Sequence, residues 1–489
     1  MIPTVLGAVE ASSITGAVLC REHLLRDASQ GLQDDGDFSL DRLWQIKCDP
    51  TASRTNMRLV SVSEAVQEVQ AFKDAGGTLI IDTTLRRHRR DAAGLAEISR
   101  RTGVAVVAAA SCADAYPEEA ALGQSYEDAA AADIQYQLLH GVAAALSGGS
   151  STAGSGGEKI QCGVAVVELA GGGDIDAQQR LELERSQWDG APAAPPYALA
   201  AAEVAQLRAA ARAQCACAAA CAGARPPLLV LVPPFAFAPA ARAVLDVLRA
   251  VHADVVTATV LCGATAAAAR ADALRPLLSA GATLCFDAFG RAACDGGADA
   301  GPVLPGDAAD AALVAALLSD AARGSSGNGG TGQDGAASGP SSAHGRSNIV
   351  NGHSGSSSSI LGHGSGGSGG GSGGVLLSQG VTQRLHLLRG GGCGYAHVQR
   401  SAAPRLRRAG AADAAIAGAT RGRALSLLDW FTPPPAVARR REFASCSWCA
   451  GAFERIEGEY YSKFAFVYCK VACLRAHRDA GFPVQEPPP

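Results

Sequence analysis

The sequence lacks long apolar runs, a dominant charge of one sign and an abundance of aromatic side chains. Of its 489 residues, 48% are hydrophobic, 18% are charged and 5% are aromatic, and the net charge is −4. Charges, Pro or Gly interrupt every apolar stretch, so we expect no membrane span. The N-terminus has neither the basic nor the apolar region of a signal peptide. The balanced charge provides no general attraction to nucleic acid or membranes.

The cysteines do not have the distribution of a disulfide framework. There are fifteen, an odd number, and several lie in Ala-rich sequence, as Cys215, Cys217 and Cys221 do. Scattered, unpaired thiols are typical of proteins in a reducing compartment. We therefore expect a cytoplasmic protein.

Short apolar runs alternate with helical segments over most of the chain. The runs are 76–82, 103–108, 164–169, 228–232, 255–261, 283–286 and 375–377, and Ala92 to Thr102 reads as a helix after the first of them. Repeated strand–helix units with continuous apolar strands indicate a parallel sheet. About eight such units predict a TIM (β/α)8 barrel. A doubly wound sheet is the alternative, but no Gly-rich phosphate loop follows the first strand.

Two low-complexity inserts interrupt this pattern. One covers 147–157, and the other, 323–374, consists mostly of Gly, Ser and Asn. The longer insert has too few apolar residues to offset its ordering entropy, which predicts a disordered loop. We assign 1–432 to the barrel, 433–441 to a linker and 442–482 to a small C-terminal module.

Several motifs of the barrel segment resemble those of the phosphotriesterase-related family of the amidohydrolase superfamily. They include Cys20-Arg21-Glu22-His23-Leu24-Leu25, Phe286-Asp287-Ala288-Phe289-Gly290 and Gly391-Gly392-Cys393-Gly394-Tyr395, in the family's order. The resemblance implies a TIM barrel with a binuclear metal centre at its C-terminal mouth. The family's ligands are a His-x-His pair, a bridging carboxylated Lys or Glu, two further histidines and an Asp. Two cations together generate a hydroxide nucleophile and polarise an ester or lactone.

Most of these ligand positions hold other residues in this chain. Arg21 replaces the first histidine, and a guanidinium has no lone pair to give a cation. His23 keeps the second position, and Glu168 matches the bridging glutamate. Gly263 and Gly380 stand where the family has a histidine and the catalytic Asp. The remaining histidine is replaced by Leu231 or Val232. The resemblance therefore implies a vestigial, degenerate metal site.

Other interpretations of the barrel mouth stay open. Cys262 and Cys393 could act as soft ligands of a rebuilt centre. His23 could be a hydrogen-bonded residue of the mouth, as could the loop histidines His386 and His397. Glu168 could pair with Arg21, because a guanidinium can substitute electrostatically for a lost cation.

The C-terminal module contains two pairs of cysteines. Cys446 and Cys449 form the first pair, and Cys469 and Cys473 form the second after nineteen intervening residues. Four thiolates at such spacing are typical of a structural zinc site, and a domain this small needs a bound metal or a similar crosslink to be stable. The pattern resembles treble-clef fingers of the TRASH and MYM type. We expect one zinc ion, with His477 as an alternative fourth ligand.

Two functions are compatible with these features. The first is a catalytically degenerate barrel, a pseudoenzyme, that acts as a scaffold and contacts a protein partner through the zinc finger. The second is a metal-dependent hydrolase of ester or lactone bonds with a rebuilt centre. The finger has a modest basic character, which would suit phosphate contacts, a solvated face or an acidic protein partner; it comes from Arg439, Arg440, Arg441, Lys463, Lys470, Arg475 and Arg478. Of these, we expect a protein partner rather than nucleic acid. Metal content and turnover would distinguish the two.

Overall fold

The computed structural model describes eleven segments of the chain and divides them between two compact units. The described residues are 1–33, 38–112, 124–143, 159–169, 197–266, 269–291, 306–326, 373–433, 443–454, 461–463 and 466–481. The first unit runs from Met1 to Phe431 and the second from Thr432 to Pro489. Each unit is described by itself.

The first unit is built on a sheet of eight parallel strands. In chain order they are β1 (Ala17–Glu22), β2 (Gly77–Asp82), β3 (Ala105–Ala110), β4 (Cys162–Glu168), β5 (Leu228–Leu231), β6 (Thr259–Cys262), β7 (Thr283–Phe286) and β8 (Val375–Leu377). Each strand pairs with the next along the chain, so the order from β8 to β1 is consecutive. A consecutive parallel order is the topology of a TIM barrel and excludes the doubly wound alternative.

Helices cover the outside of this sheet. The longer ones are α1 (Val62–Asp74), α2 (Ala92–Thr102), α3 (Gln124–His140), α4 (Ala201–Ala220), α5 (Phe237–Val251), α6 (Ala271–Ser279) and α7 (Asp307–Ser326). Shorter helices are Leu43–Cys48, Ala403–Arg408, Asp413–Ala417 and Arg423–Leu428. Short strands of the same unit pair outside the barrel: Ile2–Thr4 with Gly7–Val9, Arg26–Asp27 with Arg58–Leu59, and Val142–Ala143 with Lys159–Ile160.

Side chains alternate between the barrel interior and the helices along each strand. In β2, Leu79 and Ile81 belong to the interior cluster, whereas Ile80 packs in the cluster beneath the helices. The interior is completed by small and β-branched residues, such as Val107 and Val166. This two-sided burial explains why the strands read as continuous apolar runs.

Side chains close the sheet between β8 and β1. The Arg21 backbone N–H donates to Ser378 Oγ at 3.1 Å, and Ser378 Oγ donates to Glu22 Oε1 at 2.6 Å. Beyond the strands, the His23 N–H donates to the Val381 carbonyl at 3.2 Å. The sheet is thus nearly closed into a barrel.

Most predicted strands are present, with shifts of one or two residues at their ends. Helix α2 has the predicted bounds because Asp91 accepts a hydrogen bond from the Gly94 N–H at its start. The prediction over 255–261 was wrong in its first half. Residues Ala253–Ala258 form a 3-10 helix, and the strand is Thr259–Cys262. Val255 and Val256 are buried in this 3-10 helix rather than in the sheet.

The predicted inserts lie largely outside the described residues. Helix α7 extends to Ser326, so the first four residues of the 323–374 segment are helical, and 327–372 are not described. The 147–157 insert and most of the 433–441 linker are likewise outside the described residues. Among the described helices, none combines the length and apolar character that a membrane span needs.

The second unit contains two short hairpins and a helix. Strands β9 (Phe443–Ser445) and β10 (Ala452–Glu454) pair antiparallel, as do β11 (Tyr461–Lys463) and β12 (Phe466–Tyr468). Helix α8 (Val471–Asp479) follows. Among the described residues, its buried apolar side chains are Cys446, Tyr468 and Cys473. Two of these three are thiols, so the centre of this unit is a cysteine cluster rather than an apolar core.

Candidate functional site

Glu22 is buried at the end of β1 and acts as a structural acceptor. Its Oε1 accepts hydrogen bonds from the N–H groups of Gln379 at 2.8 Å and Gly380 at 3.2 Å, and its Oε2 accepts one from Val381 at 2.7 Å. Burial raises the pKa of Glu22 to about 7, although these donors lower it. The carboxylate therefore holds the loop after β8 in place by hydrogen bonds, and these bonds help to close the barrel.

His23 has the environment of a neutral, hydrogen-bonded residue. Its Nδ1 lies 2.9 Å from Thr84 Oγ1, and Tyr395 Oη donates to its backbone carbonyl at 2.6 Å. Burial, together with the charges of Arg26 and Arg21, lowers the pKa of His23 well below its usual value. The hydrogen-bonded interpretation of His23 matches this geometry.

Arg21 occupies the mouth of the barrel. Its Nε lies 3.4 Å from Asp287 Oδ2, without the alignment of a hydrogen bond, and its Nη1 donates to the Gly380 carbonyl at 3.4 Å. Burial lowers the pKa of Arg21, but Asp287, Cys262 and nearby carboxylates raise it overall. The guanidinium is therefore charged and paired with Asp287.

Glu168 pairs with a different arginine from the one considered in the sequence. Arg87 Nη2 donates to Glu168 Oε2. Burial raises the pKa of Glu168, but Arg87, His88 and two more distant arginines lower it overall. The direct Arg21–Glu168 pair is thus replaced by Arg87–Glu168, with Arg21 acting on Glu168 only at longer range.

The two glycines at ligand positions have no room for a side chain. A Cβ on Gly263 would lie 2.3 Å from the Val232 carbonyl oxygen, and φ there is +104°. A Cβ on Gly380 would lie 2.3 Å from the Asp287 carbonyl oxygen and 2.6 Å from Arg21 Nη1, with φ at +61°. Backbone atoms cannot move aside as flexible side chains do, so neither position could carry a histidine or an aspartate without rearrangement.

Other candidate ligands of the mouth are buried elsewhere. Leu231 belongs to the apolar barrel interior, and the Val232 N–H donates to the Cys262 carbonyl at 2.9 Å. Cys262 lies beside Cys285 in the register of β6 and β7. Within the described segments, no group containing these residues has metal-binding geometry.

Two loop histidines make local contacts. His386 Nδ1 accepts from the Thr382 N–H at 3.1 Å. His397 Nε2 lies 2.5 Å from Asp307 Oδ2. Burial lowers the pKa of His397, but hydrogen bonds to Asp307 and Cys393 raise it to about 9. Cys393 is therefore engaged with a histidine.

Sequence reasoning missed several charged residues of the mouth. Arg26, Arg87, His88 and Arg291 interact electrostatically there with Arg21, Glu168 or His23. Burial lowers the pKa of His88 to about 4 and that of Arg26 to about 10. The basic run from Arg86 to Arg90 after β2 was the available signal.

The cysteines of the second unit form one cluster. The Sγ atoms of Cys446, Cys449, Cys469 and Cys473 all lie within 4.8 Å of one another. Cys469 Sγ lies 3.8 Å from both Cys449 Sγ and Cys473 Sγ. A tetrahedral zinc site with Zn–S bonds of ~2.3 Å separates its sulfurs by ~3.8 Å. The donor set therefore fits a zinc ion.

His477 lies beside this cluster in an aromatic environment. Its Nδ1 is 3.0 Å from Tyr468 Oη, and its ring packs against Phe466 at a centroid distance of 4.8 Å and Trp448 at 5.5 Å. The group of potential ligands contains the four cysteines without His477. This geometry favours the four-cysteine set.

Comparisons with known proteins agree with this organisation. The family model of the phosphotriesterase family matches residues 1–154, and that of the Vms1-associating treble clef domain matches 441–485. The chain carries a phosphotriesterase-family domain and a treble clef domain. The family of the barrel was thus recognised from sequence, and so was the treble clef with its four cysteines.

The sequence match to curated relatives covers only part of this chain and part of those proteins. An N-acetyltaurine hydrolase from Xenopus tropicalis is 29% identical over 119 residues, which are 22% of this chain and 34% of that protein. The chain thus matches about a third of the length of these relatives.

Solved structures resemble the fold over more of the chain. A resiniferatoxin-binding protein from Rhodobacter sphaeroides has a TM-score of 0.60 at 24% identity, covering 88% of this chain and 94% of its own. A lactonase from Listeria monocytogenes has a TM-score of 0.54 at 14% identity, covering 88% and 99%. At these identities the likeness is one of fold.

Proposed function

We propose that this protein is a non-catalytic scaffold: a phosphotriesterase-type barrel without a binuclear centre, joined to a zinc-bound treble clef domain that contacts another protein. The proposed absence of a binuclear centre rests on Gly263 and Gly380, where backbone atoms leave no room for a side chain. A side-chain change alone would not restore ligands at these positions. Arg21 stands at a third ligand position, and its guanidinium cannot coordinate a cation.

The zinc part of the proposal rests on the cysteine cluster of the treble clef domain. Its sulfur separations suit tetrahedral coordination, and two of the three buried apolar residues described there are cysteines of the cluster. The domain's family is described as Vms1-associating, which supports a protein as the partner. A cytoplasmic location stays a prediction from the cysteine usage.

The alternative is a metal-dependent hydrolase with a rebuilt centre. The name of the curated relatives, N-acetyltaurine hydrolase, supports amide hydrolysis as a candidate activity, beside the ester and lactone bonds expected from the family. A rebuilt centre would need to recruit His23, Glu168 or His88. His23 and Glu168 are already engaged with Thr84 and Arg87.

Metal content and turnover of the full chain distinguish the two functions. We expect one zinc per chain, lost when Cys446→Ser is introduced, and no hydrolysis of N-acetyltaurine, a lactone or an aryl ester. His23→Asn provides the second comparison, because it should leave the metal content unchanged. Two or more metals per chain, one of them sensitive to His23→Asn, together with turnover would establish the hydrolase and refute the scaffold.

A further inference from the structure

A thiol, an imidazole and a carboxylate meet beside Gly290, which follows β7. His397 Nε2 lies 2.5 Å from Asp307 Oδ2, and the His397 ring also hydrogen-bonds the Cys393 side chain. Asp307 begins α7, whereas Cys393 and His397 follow β8 along the chain. All of these residues belong to described segments. A nucleophile beside a base that a third group orients is the arrangement of an activated thiol.

Gly290 allows these side chains to converge. Its N–H donates to Asp307 Oδ1 at 2.8 Å, while the second carboxylate oxygen, Oδ2, faces His397. A Cβ added to Gly290 would lie 2.9 Å from Cys393 Cβ and 2.9 Å from His397 Cδ2. With φ at +80°, this backbone also favours glycine over other residues. The main chain of one residue therefore packs against the thiol, the imidazole and the carboxylate.

The environment of His397 keeps it positively charged at neutral pH. Burial lowers the pKa of His397, but the hydrogen bonds to Asp307 and Cys393 raise it to about 9. Burial raises the pKa of Asp307, but His397 and the Gly290 N–H lower it overall. Arg405 adds to this lowering, with its Nη1 3.9 Å from Asp307 Oδ2. An imidazolium next to a thiol favours the thiolate form, which is the nucleophile.

The cluster is partly shielded from solvent. Cys393 is half-buried, and the His397 and Asp307 side chains are 15% and 12% exposed. By contrast, Cys262 and Cys285, the cysteines of β6 and β7, are buried. Shielding strengthens the ion pair, because water screens it less than it would on an open surface. The remaining exposure of Cys393 admits a small reagent.

We propose that Cys393 is a modification site, a nucleophilic thiol that small peroxides oxidise to a sulfenic acid. His397 is its proton donor, and Asp307 positions His397. Starting from the thiolate and the imidazolium, the sulfur attacks a peroxide oxygen, so that an S–O bond forms as the O–O bond breaks. The sulfur is oxidised, the peroxide is reduced, and His397 gives its proton to the leaving oxygen, which departs as water or an alcohol. This step goes beyond the proposed scaffold and needs no metal.

Trapping of sulfenic acid in the full chain tests this proposal. The zinc-loaded protein is treated with hydrogen peroxide and dimedone, which labels sulfenic acids, and peptide mass spectrometry gives a labelling rate for each cysteine. We expect Cys393 to be labelled faster than the exposed Cys48. The advantage should be largest at about pH 6, where His397 is cationic and unassisted thiols are protonated. His397→Gln should slow the labelling of Cys393 by about ten- to hundredfold, the effect of losing one hydrogen bond to a charged group. His252→Gln is the matched control, because the exposed His252 also lies beside a carboxylate, that of Asp254.

A second variant separates positioning from proton transfer. Asp307→Asn keeps the shape of the side chain and removes its charge, so it should slow the labelling of Cys393 less than His397→Gln does. If His397→Gln fails to fold, Asp307→Asn takes its place, and melting temperature and zinc content establish that the compared variants are folded. Labelling of Cys393 no faster than that of Cys48, or a rate unchanged in a folded variant, overturns the proposal. Labelling that begins only after a chelator is added also overturns it; that result means that Cys393 ligates a metal, so the proposed absence of barrel metals fails with it.

Discussion

Loss of one zinc ligand should unfold the treble clef domain, whereas loss of the neighbouring histidine should not. Cys473→Ser removes a buried thiol of the cluster. His477→Ala removes a buried side chain of similar position that contacts Tyr468 and Phe466. The two residues lie one turn apart on α8. Comparing the two variants therefore distinguishes the loss of a zinc ligand from the loss of packing.

The expected magnitudes differ because the described part of the domain has little apolar core. Among the described residues, Tyr468 is its one buried apolar side chain other than a cysteine. Burying such a side chain contributes about 2–3 kcal/mol. Zinc binding to small fingers contributes on the order of 10 kcal/mol or more. His477→Ala should cost about 1–3 kcal/mol, mainly by leaving the Tyr468 hydroxyl without its buried partner.

The assay combines native mass spectrometry and hydrogen exchange on the full chain. Wild type and His477→Ala should each carry one zinc and show protected amides in β12 and α8. Cys473→Ser should carry none and exchange those amides rapidly, and the barrel unit, Met1–Phe431, should be unchanged in both variants. Loss of zinc in His477→Ala alone would mean a ligand set of three cysteines and one histidine, and would refute the reasoning.

Two further predictions concern the barrel. Asp307 raises the pKa of His397 to about 9. The pair therefore stabilises the fold fully below pH ~6.5, and this stabilisation is lost as the pH rises through 9. His397→Gln should remove up to about 3 kcal/mol of the difference in unfolding free energy between pH 6 and pH 10, measured by urea unfolding. An unchanged slope would count against the pair. Gly380→Asp should lower stability by about 1–3 kcal/mol and bind no added metal, because its Cβ would meet the Asp287 carbonyl; a stable variant with bound metal would contradict the closed geometry.

The sequence predicted elements whose signals are local. Helix α2 was predicted over its full length, and in the structure Asp91 and Gly103 cap its two ends. The four cysteines were identified because their spacing alone suits zinc. The same locality explains the error at 255–261, where Val255 and Val256 are β-branched and buried but belong to a 3-10 helix.

The partners of the mouth residues could not be predicted in the same way. Arg21 could reach either Glu168 or Asp287, and the choice depends on strand register and on Arg87 entering from another loop. Glu22 looked like a motif residue, yet its contacts are with amides more than 350 positions away. A long flexible side chain can satisfy several geometries, so sequence spacing does not determine which one the fold selects.

Replacing metals by arginines changes the chemistry of a barrel mouth while keeping its charge. A metal ion and a guanidinium both attract an anion, so the mouth can still recognise negative charge after the replacement. A guanidinium has no open coordination position, and it cannot lower the pKa of a bound water as a metal does. Main-chain atoms leave no room for a side chain at Gly263 and Gly380, so neither position of the described mouth could supply a metal ligand without rearrangement. This geometry supports the proposed scaffold over a hydrolase that keeps the family's ligand set.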